Sequence, residues 1–121
     1  MVKALFDTNI LIDYLNGITE ARDEIQLYED KAISMISWME VMVGADTPFE
    51  QATQAFLGRF RLIELNDQIA ARAVVLRRER RIKLPDAIIE ASAQVNGMLL
   101  VTRNKKDFDA GSPGVRIPYV L

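Results

Sequence analysis

Four short apolar runs, each followed by a stretch with helical spacing, constrain the fold of these 121 residues more than any other feature. Val2 to Phe6, Ala32 to Ile36, Arg61 to Leu65 and Met98 to Val101 are too short for buried helices and read as buried strands. The segments between them carry helix signals. Thr8 or Asn9 is placed to cap a helix through Ile10 and Leu15 that stops at Asn16-Gly17, and Thr19 opens a second running to about Tyr28. Ser37 is placed to cap a helix through Trp38 and Val43 that Gly44 ends. Thr47-Pro48-Phe49-Glu50 reads as a capping box with proline in the first turn, starting a helix to about Phe60. Asp67 caps the next, Pro85 opens another that stops at Asn96-Gly97, and Val115 to Ile117 is a short fifth strand. Strands that alternate with helices connect by right-handed crossovers. The expected fold class is therefore α/β, a three-layer α/β/α arrangement with a central parallel sheet of four to five strands, in one domain spanning residues 1–121.

The chain contains no cysteine and no histidine. Those two absences exclude Ser-His-Asp and Cys-His catalysis, disulfides, and zinc sites built on imidazole or thiolate. Hydrolytic chemistry would have to run on carboxylates, amides, hydroxyls, lysine, arginine and metal ions. No apolar run approaches the roughly 20 residues of a membrane span, and the N-terminus lacks a charged region ahead of an apolar segment, so the expectation is a soluble cytoplasmic protein without a membrane partner. A formal charge of −2 gives no general attraction to nucleic acid, which would need a local basic patch.

Four acids stand at comparable places. Asp7 follows the first strand, Glu40 lies in the helix after the second, Asp86 is in the first turn of the helix opened by Pro85, and Asp107 follows the fourth strand within TRNKKDF. An acid in a first helical turn is commonly a complement to the helix dipole and nothing more. Glu40 is harder to dismiss, because Trp38, Met39, Val41, Met42 and Val43 leave almost no polar face for it, and Asp86 sits between Leu84-Pro85 and Ala87-Ile88-Ile89. Buried carboxylates without partners cost several kcal/mol or give up their charge, and so want a cation. Clustered oxygen ligands without histidine suit Mg²⁺ or Mn²⁺, and such a site suits hydrolysis of a phosphodiester.

The segments DTNILID, ISMISWMEVMVGA, KLPDAIIEASA and TRNKKDF, in that order, resemble the PIN-domain family, and in length the chain resembles the VapC-type toxins of toxin–antitoxin pairs. The resemblance implies a PIN-like fold and an acidic quartet of Asp7, Glu40, Asp86 and Asp107. It implies that these acids bind one or two Mg²⁺ or Mn²⁺ ions for endoribonuclease cleavage, with Thr8, Asn9, Thr102 and Asn104 as polar support. It also implies a homodimer, and a cognate antitoxin whose C-terminal segment covers the acidic pocket.

Arg77, Arg78, Arg80, Arg81 and Lys83 immediately precede Asp86, and Arg103, Lys105 and Lys106 flank Asp107. They read either as solvated helix and loop faces or as a positive rim that leads RNA phosphates toward the acids. Trp38 and Tyr14 read as core rather than as base-stacking platforms, and Glu20, Asp23, Glu24, Glu29 and Asp30 as an acidic surface run. Two other readings remain open. One is a PIN-like module that binds RNA or protein without cutting. The other is a phosphatase with Asp7 as nucleophile, although aspartyl-phosphate hydrolases place a second aspartate where Asn9 stands.

Overall fold

A computed structural model describes all of residues 1–121. Its strands are β1 (Lys3–Phe6), β2 (Asp30–Ser34), β3 (Arg61–Ile63), β4 (Leu99–Val101) and β5 (Val115–Arg116). The helices are α1 (Thr8–Leu15), α2 (Thr19–Gln26), α3 (Met35–Val43), α4 (Glu50–Leu57), α5 (Asp67–Arg80) and α6 (Leu84–Val95), with a 3₁₀ turn at Thr47–Phe49. All five strands are parallel, in the order β3-β2-β1-β4-β5. The expected three-layer architecture is what the chain adopts.

Alternation along the strands builds two cores. Leu5, Ala32 and Leu100 point to one face, where Ile69, Ala73 and Leu76 of α5 and Ala87, Ile89, Ala91 and Ala93 of α6 cover them. Their sequence neighbours Ala4, Phe6, Ile33 and Val101 point to the other, against Ile10 and Leu11 of α1, Ala21 and Ile25 of α2, Val41 of α3, and Phe56 and Leu57 of α4. Tyr14 stacks on Phe56 with ring centroids 4.3 Å apart, and Trp38 is half-buried against the same cluster, so both serve packing.

Several helix starts differ from expectation by one to three residues, for a common reason. Asp7, not Thr8 or Asn9, is the N-cap of α1, its Oδ1 accepting from the Thr8 N–H at 2.7 Å. Ser34, not Ser37, caps α3 by accepting from the Ser37 N–H at 3.2 Å, and Asn66, not Asp67, caps α5 by accepting from the Ile69 N–H at 2.9 Å. In each case cap-competent residues lie close together and the earliest is used; β2 and β3 also end sooner than their apolar runs. The box at Thr47 makes no side-chain cap; a 3₁₀ turn holds Pro48 before α4 begins. Gly17 and Gly97, at φ 79° and 64°, follow the ends of α1 and α6 in the left-handed region that suits glycine.

The sheet order matters for the site. Leaving β1, the chain builds outward to β2 and β3, then returns to place β4 on the other side of β1. The carboxyl ends of β1 and β4 therefore flank the point where the winding reverses, the place in open parallel sheets where a crevice forms. Asp7 and Thr102 are the first residues past those two strands.

Candidate active site

Asp7 is only 4% exposed, and its position is over-determined. Its backbone N–H donates to Val101 O at 2.9 Å, extending the β1–β4 pairing by one residue. Its Oδ1 caps α1, while Oδ2 accepts from the Thr102 hydroxyl at 2.8 Å and from Asn9 Nδ2 at 3.3 Å. Burial raises the Asp7 pKa; the Thr102, Thr8 and Asn9 donors oppose that shift and the charge of Glu40 adds to it.

Glu40 is reached from the same turn. The Thr8 hydroxyl lies 2.7 Å from Glu40 Oε1 and 2.9 Å from the buried Ser37 Oγ. A carboxylate only accepts, so the single Thr8 proton goes to Glu40 and Ser37 donates to the Thr8 oxygen. The expectation that Glu40 lacks a polar face needs correction. Glu40 is exposed, because the outer side of α3 is not covered within this chain; Val43 is 88% exposed and Met39 is exposed beside it.

Asp107 is half-buried on the turn after β4, where Asn104 holds it at both ends. Asn104 Nδ2 donates to Asp107 Oδ2 at 2.9 Å, and Asn104 Oδ1 accepts from the Asp107 N–H at 3.2 Å. The Asn104 N–H donates in turn to Thr102 Oγ1 at 3.0 Å. Asn9 completes the lattice, its Nδ2 reaching Thr102 at 3.3 Å and its Oδ1 accepting from the Arg103 N–H at 3.1 Å. Thr8, Asn9, Thr102 and Asn104 thus each touch a quartet acid or its immediate support.

Asp86 is set by Pro85 in the first turn of α6 and is half-buried. Its pKa is pushed up to about 6, first by burial and then by the negative charges of Asp7, Asp107 and Glu40, with the Lys83 charge opposing them. The four acids therefore share one field. None has an arginine or lysine partner in an ion pair. The donor set, all oxygen and uncompensated, fits a hard divalent cation. As placed, no three acidic side chains are close enough to share an ion, so the carboxylates do not already form a ligand set.

The basic residues divide. Arg77, Arg78, Arg81, Lys83 and Lys105 are exposed and without an ion-pair partner, with Arg81 in the left-handed conformation at the end of α5. Arg80 instead pairs with the buried Glu90 and lies over the Phe108 ring. Arg103 pairs with Asp13, its Nε and Nη2 donating at 2.7 and 3.0 Å. The sequence leaves a solvated face and an RNA-facing rim open for both; here each pairs with a carboxylate that the fold buries. Glu24, expected on an acidic surface, is also buried: Arg116 and Tyr28 donate to it, Arg116 Nε at 2.6 Å. Sequence reasoning misses Ser37 as the bridge behind Thr8 and Asp13 as a buried acid. The second has a signal, an aspartate inside the apolar run of α1, which is the reasoning applied to Glu40.

A family model described as "PIN domain" matches residues 4–111. The chain is 35% identical over 108 residues to Ribonuclease VapC10 of Mycobacterium tuberculosis, an alignment covering 83% of this chain and 81% of that protein. Among solved structures it is similar to a toxin–antitoxin complex from Klebsiella pneumoniae, with 51% identity and a TM-score of 0.92 over 98% of this chain and 100% of that one. It is also similar to DNA-bound VapBC from Salmonella typhimurium, at 26% identity and a TM-score of 0.78, covering 97% of each chain.

Proposed function

The chain belongs to the PIN-domain family, and from that premise we propose that it is a Mg²⁺- or Mn²⁺-dependent endoribonuclease, the toxin of a VapBC-type toxin–antitoxin pair. The observation that carries this reading is geometric: Asp7, Glu40 and Asp107 are each held by a side-chain hydrogen-bond donor, and no quartet acid has an arginine or lysine in an ion pair. Burial first, and then the charges of Asp7, Asp107 and Glu40, push the Asp86 pKa up to about 6. In this reading Asp7, Asp86 and Asp107 hold one or two ions. Glu40, steadied by Thr8, holds the second ion or orients the attacking water. What a divalent ion supplies when bound is Lewis acidity, a more acidic water and relief of the charge that builds on the phosphate. Thr102 and Asn9 keep Asp7 from rotating away, and Asn104 does the same for Asp107. Arg77, Arg78, Arg81, Lys83 and Lys105 draw the RNA backbone toward an otherwise repulsive pocket.

The antitoxin belongs to the same proposal. A groove of about 630 Å³ between α1, α3 and α4, lined by Ile12, Leu15, Phe49 and Phe56, runs up to Glu40, where an apolar antitoxin segment would end at the acids. A homodimer is the expected assembly. A second reading, a PIN-like module that holds RNA or protein without cutting it, draws support from the spacing of the carboxylates, which do not meet on one point.

Cleavage of a synthetic structured RNA by the antitoxin-free chain decides between them. The nuclease reading expects scission in Mn²⁺, none in EDTA, and none by a folded Asp7→Asn or Asp107→Asn variant. RNA retained undiminished in EDTA and left intact in Mn²⁺ would establish the binding module. Mapping RNA 5′ ends after induced expression would then identify the substrate.

A further inference from the structure

Asp13 lies on α1 within two turns of Asp7, is 5% exposed, and is outside the quartet. Three donors satisfy it: Arg103 Nε and Nη2 at 2.7 and 3.0 Å and the Tyr119 hydroxyl at 2.8 Å. Such satisfaction is what a buried carboxylate needs, yet a hydrophobic residue there would pack at lower cost. The position of Arg103 suggests what the pair does. The residue before it, Thr102, holds Asp7; the residue after it, Asn104, holds Asp107; its own N–H donates to Asn9, which also holds Asp7. Arg103 is thus the middle of a three-residue segment whose flanks grip two quartet acids from opposite ends of the chain. Its bidentate pairing with Asp13 ties that segment to the helix that Asp7 caps. A bidentate guanidinium–carboxylate pair fixes orientation as well as distance, which a single hydrogen bond would not.

We propose that Asp13 and Arg103, braced by Tyr119, are a positioning pair that sets Asp107 against Asp7 for RNA cleavage; this rests on the nuclease reading above. Neither residue touches a quartet carboxylate, and both act through Asn9, Thr102 and Asn104.

The test compares Asp13→Asn, Arg103→Gln, Arg103→Lys and Tyr119→Phe with the wild-type chain in three measurements: amide hydrogen exchange without metal, Mn²⁺ binding by calorimetry, and kcat and KM for RNA. In Asp13→Asn and Arg103→Gln the Asp107 and Phe108 amides should exchange faster while those of β1 and α5 do not change. The Mn²⁺ dissociation constant and kcat should each worsen about 10-fold or more, as is usual when the support behind a ligand is removed, with KM within about twofold. The double variant should be no worse than Arg103→Gln, and Arg103→Lys should recover part of the deficit. Should Asp13→Asn fail to fold, Tyr119→Phe keeps both charges and should still weaken Mn²⁺ binding by about threefold through removal of one hydrogen bond. A raised KM with unchanged kcat and Mn²⁺ binding would overturn the proposal and make Arg103 an RNA-binding residue. Unchanged exchange and Mn²⁺ binding in every folded variant would also overturn it. A wild-type chain that cuts no RNA sinks the nuclease reading, while exchange and Mn²⁺ binding still report on the pair.

Discussion

Replacing Asp86 by asparagine should stabilise the metal-free protein while removing its activity. The Asp86 pKa stands at about 6 in the folded chain against 3.8 for the unperturbed group, so the fold prefers the protonated form. That preference stabilises the fold fully below the unfolded pKa, near 4, and the stability is lost as pH rises through about 6. Two pKa units correspond to about 3 kcal/mol, and because Asp86 is only half-buried, screening reduces the expected effect to about 1–2 kcal/mol. Asparagine keeps the shape and removes the charge. Urea unfolding in EDTA should therefore show Asp86→Asn more stable than wild type by about 1–2 kcal/mol at pH 7.5, a gain of roughly 4–8 °C in Tm. At pH 4 the difference should vanish, since wild-type Asp86 is then protonated when folded. Millimolar Mg²⁺ should raise wild-type stability through linkage and leave Asp86→Asn nearly unmoved. An Asp86→Asn protein less stable than wild type at pH 7.5, or a difference that does not change with pH, would refute the claim that burial and the other three acids together disfavour the Asp86 charge.

Three further outcomes follow from named side chains. Thr8→Val keeps the shape but removes the donor to Glu40, and should lower kcat about 10-fold with RNA binding unchanged, read by single-turnover cleavage and filter binding. Glu24→Gln leaves Arg116 facing a neutral amide and weakens a pair that ties β5 to α2; because the Arg116 side chain is partly exposed and stays solvated, urea unfolding should show a destabilisation of about 1–2 kcal/mol. Joint replacement of Arg77, Arg78 and Arg81 by alanine should raise KM for RNA and flatten its salt dependence, by about 0.7 in slope for each phosphate no longer neutralised, with Mn²⁺ binding intact.

The layers, the strand count and the four acid positions are legible in the sequence because they rest on periodicity and on where a strand stops. Asp7 and Asp86 stand at an element's edge, which makes their positions readable, although capping α1 or complementing the α6 dipole would account for each one alone. Helix caps are misplaced because Ser34 and Ser37, or Asn66 and Asp67, are chemically equivalent as acceptors, and only the strand's true end selects between them. Partner choice is illegible for a deeper reason. Arg103 and Asp13 are separated by 90 positions and Arg116 and Glu24 by 92, so nothing local marks either arginine as already bound. A charge run read in sequence therefore overstates the free positive charge at the rim. The apolar stretch around Glu40 misleads in the opposite sense, because an apolar residue such as Val43 can lie on a face that the chain leaves open.

If Asp7, Glu40, Asp86 and Asp107 together attract a divalent ion, sub-stoichiometric Mn²⁺ added to the isotope-labelled chain will reveal it most directly, because the paramagnetic ion broadens the amide resonances nearest to where it rests. Broadening confined to the amides around Asp7, Glu40, Asp86 and Asp107, and reversed by EDTA, is the predicted result. Broadening centred on Glu20, Glu29 and Asp30, with the Asp7 and Asp107 turns left sharp, would contradict it.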